Sequence, residues 1–263
     1  MNVVQIKNEL NILPLKDFSA IELNLFFSLC AKLRNEDTKK VRFTLTELKE
    51  LSNYKSTSQT RFVKDLETLY DKILQVTYKV GNDQHFKKFT LFTDYEVNVY
   101  DNYLDVSVNE NFIHLLNNFE LGNFTIFELN ELTSFKSNYT KNLYRLLKQF
   151  KATGYLKISM KDFRERLSIP ASYRMSDINK RILSPSLAEF EQVFFNIKVK
   201  KIKRNREVSA LEFTFLPQKN IKPVASNNKS DNNAEELQFL ANGLHLGDNL
   251  ENNPLYSALK NRH

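Results

Sequence analysis

A chain of 263 residues is long enough for two domains that each bury a core, and a hydrophobic content of 41% with 21 Phe and 11 Tyr excludes a disordered protein. The single cysteine, Cys30, excludes an internal disulfide and fits a reducing cytoplasm. The opening MNVVQIKNEL lacks the layout of a signal peptide, and no stretch approaches the ~18 apolar residues of a membrane helix, so a soluble cytoplasmic protein is expected. The net charge of +7 is unevenly placed: residues 1–120 hold 15 Lys+Arg against 17 Asp+Glu, residues 121–216 hold 18 against 9, and residues 217–263 hold 5 against 5. A basic middle third points to a polyanion partner, most often nucleic acid.

In chain order, the first helix is expected from about residue 19, where Ser19 and Glu22 have capping-box spacing, through Leu25, Leu29 and Leu33. Phe43, Thr44, Glu47 and Leu48 then place a hydroxyl at an N-cap, a carboxylate three residues on and an apolar pair at staple positions. They open the short helix TLTELKELSN. A third helix over 56–73 turns Phe62, Leu66, Leu69 and Ile73 inward, and QVTYKVGND leads by a Gly-Asn turn into KKFTLFTDYEV, a hairpin signal. The link 97–135, including VYDNYLDVSVNENF, is expected to hold one further strand and a short connecting helix.

The same order then returns. YTKNLYRLLKQF sets Leu143, Leu146, Leu147 and Phe150 on one side of a helix, and Ile158, Ser159, Asp162 and Phe163 repeat the cap and staple before SMKDFRERLS. A third helix over 176–193 turns Ile178, Ile182, Leu187 and Phe190 inward, and FFNIKVKKIKRNREVSALEFTF folds back through Arg204-Asn205-Arg206. Pro185 leaves two readings open there: Ser184-Pro185 starts a new helix, or the proline kinks a continuous one.

Helix, helix, helix, hairpin is the order of a winged helix, whose third helix enters the DNA major groove. The expected fold is therefore α+β: two tandem winged-helix domains related by an internal repeat, 1–120 and 121–217, followed by a mostly disordered, flexible tail, 218–263. That tail is rich in Asn and Ser, with one or two helical turns conceivable around Leu237, Leu240, Ala241 and Leu244.

With Ile178, Ile182 and Leu187 in the core, the other side of the second unit's third helix carries Arg174, Ser176, Asp177, Lys180, Arg181 and Ser184. Arginine matches the O6/N7 edge of guanine with two hydrogen bonds, which makes Arg181 the leading candidate for base readout. On the neighbouring hairpin Phe195, Ile197 and Val199 are expected to face the core. Lys198, Lys200, Lys201, Lys203, Arg204 and Arg206 crowd its turn, suited to lie along phosphates. The first unit offers a weaker set, Lys55, Ser58, Arg61 and Lys64, beside Asp65, Glu67 and Asp71, with Lys79, His85, Lys87 and Lys88 on its hairpin.

Signs of catalysis are missing. His85, His114, His245 and His263 form no His-apolar-His pair, no metal-ligand cluster is evident, and the five glycines build no phosphate-cradling loop. Tyr139 and Tyr144 fall on a predicted helix, where packing is their expected role. A binder without cofactor or metal, and not an enzyme, is expected.

The run from 137 to 191 resembles the second winged helix of iteron-binding replication initiators of theta-replicating plasmids. Leu-Tyr-Arg-Leu-Leu at 143–147, Ile-Pro-Ala-Ser-Tyr at 169–173 and Lys-Arg-Ile-Leu-Ser-Pro at 180–185 carry the likeness, which extends over roughly 3–216 through VVQIKNELN. Ser186 departs from the alanine usual in that family, and Glu191-Gln192 stands where Ile-Asn is common. The resemblance implies binding of double-stranded origin DNA at directly repeated iterons, mainly through the third helix of the second unit. It implies monomers that help open the origin and recruit host helicase and initiator proteins. It also implies homodimers, joined through the first unit, that bind an inverted-repeat operator and repress their own gene.

Overall fold

In the computed structural model, residues 3–8, 10, 15, 17–34, 40–117 and 124–218 are described. The expected tail lies outside them from residue 219 onward.

The chain begins with strand β1 (Val3–Lys7) and helix α1 (Ala20–Leu33). The Ser19–Glu22 capping box forms as its spacing predicts: Ser19 Oγ accepts from the Glu22 amide at 3.2 Å, and the Glu22 carboxylate accepts from the Ser19 amide at 2.6 Å. Strand β2 (Lys40–Thr44) runs into α2 (Leu45–Leu51), where Thr44 Oγ1 takes the Glu47 amide at 3.0 Å. Helix α3 (Gln59–Ile73) buries Phe62, Leu66, Leu69 and Ile73, the four positions its period marks as inward.

Next comes a hairpin that is compact on its own over residues 77–89: β3 (Thr77–Gly81) and β4 (Phe86–Thr90). Gly81 sits at φ 106°, a backbone angle open to glycine, and Asn82 Oδ1 closes the turn by accepting from the Gln84 and His85 amides at 2.9 and 2.7 Å. The expected single strand KKFTLFTDYEV thus breaks at Leu91, because Leu91 and Phe92 are both fully buried and cannot both face one side of a regular strand. From Phe92 a new strand starts, β5 (Phe92–Asn98), and it pairs with β6 (Tyr103–Val108) in a sheet of order β2-β6-β5. The turn between them is fixed by Asn98 and Asp101, which exchange hydrogen bonds at 2.8 and 2.9 Å.

The 97–135 link is richer than its one expected strand and one expected helix. It supplies β6, α4 (Glu110–Asn117), β7 (Phe124–Glu128) and α5 (Leu129–Ser134). Strand β7 pairs antiparallel with β1, from Val3 opposite Glu128 to Lys7 opposite Phe124. Helix α1 also packs on α5 and on α6 (Asn138–Gln149), so the two winged helices share one compact unit.

The second unit continues with β8 (Tyr155–Ser159), α7 (Met160–Leu167) and α8 (Met175–Ile178). A π-turn over Asn179–Leu183 runs directly into α9 (Ser184–Phe190), and β9 (Lys198–Arg204) and β10 (Glu207–Thr214) close a sheet of order β8-β10-β9. Helix α7 is capped by Ser159, whose Oγ accepts from the Asp162 amide at 3.1 Å.

Pro185 resolves in a third way. The helix is continuous, and the amide of Ser184 reaches back five residues to the Asn179 carbonyl. The wider turn accommodates the proline, which has no amide to give and whose ring clashes with a carbonyl one normal turn earlier. It also resets the phase, so Ile178, Ile182, Ser186 and Phe190 are all buried while Leu187, expected inside, is only half-buried. Ser186, the departure from alanine, hydrogen-bonds Thr140 at 2.9 Å, so its hydroxyl is satisfied in the core.

Helix α6 is more deeply enclosed than an amphipathic surface helix. Besides Leu143, Leu146 and Leu147 it buries Lys141, Arg145 and Lys148, and Lys151 follows just beyond its end. Each cation meets an oxygen from another element: Lys141 the Leu132 carbonyl at 2.7 Å, Arg145 the Leu10 carbonyl at 3.1 Å, Lys148 the Glu131 carboxylate at 2.9 Å, and Lys151 the Ile126 carbonyl at 3.1 Å. Four of the 18 cations in the basic third are therefore internal ties.

Burial pushes the Lys141 ammonium down to about 7, only partly offset by Glu189. Below that value the folded and unfolded chains both hold the proton. Between it and the ordinary 10.5 the unfolded chain holds more, so this residue's contribution to stability rises with pH across that window. Relative to Lys141→Met, wild type should gain on the order of 2–4 kcal/mol in unfolding free energy from pH 7 to 10. Denaturant titrations along the pH series measure it, and a constant difference would refute it.

Candidate nucleic-acid interface

The third helix of the second unit lies between two flanking elements, each of which reaches one of its polar side chains. On one flank is the loop after α7. Arg164 clamps that loop, donating to the Pro170 carbonyl at 3.3 Å and the Tyr173 carbonyl at 2.6 Å. The loop thereby presents Tyr173 to Arg181: the guanidinium stands 5.2 Å from the ring centroid, and Nη1 donates to the Tyr173 hydroxyl at 3.4 Å. Asp177 Oδ1 approaches Arg181 Nε at 3.9 Å. Behind them Tyr139, at the start of α6, hydrogen-bonds Tyr173; burial foremost, with the Tyr173 hydroxyl beside it, raises its phenol above the usual value against the pull of Arg181.

On the other flank is the wing. Strand partners share a face, and Val199 and Lys201 lie opposite Phe213 and Leu211, both fully buried, so Lys201 points to the helix side. Its Nζ donates to Asn179 Oδ1 at 2.9 Å, and Asn179 Nδ2 in turn reaches Ser184 Oγ at 3.4 Å. Lys198 and Lys200 lie opposite Thr214 and Glu212 on the outer face, while Arg204, Asn205 and Arg206 make the tip, with Asn205 at φ 58°. Lys180, Lys198, Lys200, Lys203, Arg204 and Arg206 are exposed and make no hydrogen bond or ion pair among the described residues. Such uncompensated cations are suited to a row of phosphates.

The remaining candidates divide. Arg174 and Ser176 are exposed at the helix start, whereas Asp177 accepts from the Arg174 amide at 2.9 Å and so caps that start. Phe195 is a correction: it is 65% exposed, because the strand begins only at Lys198 and Phe194 takes the core place, fully buried. In the first unit Lys55, Arg61 and Lys64 are exposed, and Ser58 caps α3, its Oγ accepting from the Arg61 amide at 3.2 Å. Asp65 holds the Tyr54 hydroxyl at 2.6 Å. Asn179 and Tyr173 went unassigned from sequence; the one available signal was their position immediately beside Lys180-Arg181 and at the end of the Ile-Pro-Ala-Ser-Tyr run.

Among the described residues no group of three or more His, Cys, Asp or Glu is placed to hold a metal, and no helix is long and apolar enough to cross a membrane. The family described as initiator replication protein, WH1, matches residues 3–148, and that described as initiator Rep protein, WH2, matches residues 159–215. The chain belongs to the plasmid replication initiators. A probable replication protein rep from Bifidobacterium longum (strain NCC 2705) is 29% identical to this initiator over 236 residues, which is 87% of this chain and 79% of that one. The crystal structure of Pi initiator protein in complex with iteron DNA shares the initiator's fold with a TM-score of 0.66. It is 13% identical, over 83% of this chain and 98% of that one.

Proposed function

We propose that this initiator binds directly repeated iterons at a plasmid origin, with residues 121–217 as the main DNA-binding part, and that it represses its own gene as a dimer joined through residues 1–120. The observation that carries the DNA contact is the pairing of a wing rich in unpartnered cations with a helix that presents the Arg181 fork beside it. The wing supplies affinity and orientation; the helix supplies sequence choice. The first unit's third helix has a basic start, Lys55, Arg61 and Lys64, and an acidic exposed remainder, Glu67 and Asp71, which fits an auxiliary contact. Likeness to an initiator solved on iteron DNA agrees with the reading. Opening of the origin and recruitment of host helicase follow as the monomer's tasks.

Supplying the protein in trans to a replicon that carries the DNA flanking its gene but lacks the gene tests this. Maintenance of the replicon, with a periodic footprint over direct repeats, is the expected result. A footprint confined to the promoter, with no replication, would make the protein a repressor without an initiation role.

A further inference from the structure

The base-reading side chain of a recognition helix is normally supplied by the helix alone, yet here its fork is held from outside. Arg181 reaches the Tyr173 ring and hydroxyl, and Asp177 approaches its Nε from the preceding turn. Tyr173 is itself fixed at both ends. Its carbonyl accepts from Arg164, its amide donates to the Pro170 carbonyl at 3.0 Å, and its hydroxyl is bonded to Tyr139 of α6. A long arginine free in solution samples many rotamers and loses them on binding, and a side chain already held in one arrangement loses fewer.

We propose that Tyr173 is a positioning residue for sequence discrimination: it holds the Arg181 guanidinium at one end so that the donors left over address a base edge in a single orientation. The inference rests on the DNA-binding reading above and deepens it. Tyr173 need not touch DNA. Its ring, more than its hydroxyl, does the holding, because the 3.4 Å hydrogen bond is long and the stacked face is the larger contact. An arginine whose ordering is prepaid in this way gains about 3- to 10-fold in the bound state over a free one, and the gain appears only where that arginine reads a base.

The test starts from selection of preferred sequences by the full-length protein from a random duplex library. Affinities of wild type, Arg181→Ala, Tyr173→Phe and Tyr173→Leu are then measured against every single-base variant of the selected duplex and against a scrambled one. Tyr173→Leu should lose about 3- to 10-fold in discrimination at the positions that Arg181→Ala flattens and at no others, leaving scrambled DNA within about twofold of wild type. Tyr173→Phe, which keeps the ring, should retain most of the discrimination, and Tyr173→Leu combined with Arg181→Ala should lose no more than Arg181→Ala alone. Discrimination that survives Tyr173→Leu, or a loss spread evenly over all positions and scrambled DNA, overturns the positioning role while leaving the DNA-binding reading intact. Selection of no preferred sequence by wild type overturns both.

Discussion

Replacing Lys198, Lys200 and Arg204 together by alanine should weaken binding to iteron and random DNA alike and make the salt dependence shallower. Each phosphate contact releases about one counterion, so the slope of log affinity against log salt should lessen by about 3. The three side chains are exposed, and Lys198 and Lys200 lie on the outer face of β9, so the change leaves the core of the wing untouched and relieves repulsion between neighbouring cations. Lys201 is left out on purpose. Its ammonium is engaged with Asn179, and its removal would disturb the helix as well as the charge. Titrations by fluorescence anisotropy at several salt concentrations give the slope, and an unchanged slope would refute the phosphate role.

Arg145→Ala should be among the most damaging single substitutions to stability, although it lies far from any DNA-facing residue. The guanidinium is 3% exposed, donates to the Leu10 carbonyl at 3.1 Å and to Asn142 Oδ1 at 2.9 Å, and stands 4.6 Å from the Phe27 ring centroid. Burial pulls it down to about 10. Truncation leaves a buried carbonyl without its donor and a cavity against Phe27, together about 3–4 kcal/mol. Arg145→Met refills the space and removes the cost of burying a charge, so it should lose less than half as much. Denaturant midpoints of the two variants decide it: an alanine variant as stable as wild type, or a methionine variant just as damaged, would contradict the account.

The repeated order of helices was legible because its signals are local. Ser19 with Glu22, Thr44 before Glu47 and Ser159 before Asp162 each satisfy an amide within three residues, so spacing alone locates the helix starts. The inward stripe of α3 is equally local. What spacing could not reveal is pairing at a distance. Strand β1 finds β7 more than a hundred residues on, and β6 completes a sheet whose partner β2 lies far upstream.

Within the candidate site, the outward residues of the recognition helix followed from its period up to Pro185. Beyond it the π-turn shifted the phase, and Ser186 took the place read for Leu187. Charge misled in a different way. Lys141 and Arg145 look like solvated surface on a helical wheel, and only the carbonyls of Leu132 and Leu10, which come from elsewhere in the chain, turn them inward. Lys201 shows the same limit at the wing, where a cation in a run of six is directed to a neighbour by the face its strand partner Leu211 selects.

The β1–β7 ribbon blurs the border between the two halves. Its two strands belong, by sequence, to the openings of two successive repeats, yet neither has another strand to lean on in its own sheet. A fragment beginning near residue 121 would carry β7 with one row of amides and carbonyls bare, a template for pairing with any extended chain it met. The five residues of β1 act as a cover strip for the half of the molecule they do not adjoin in sequence, and the two winged helices are matched to fold, and to fail, together.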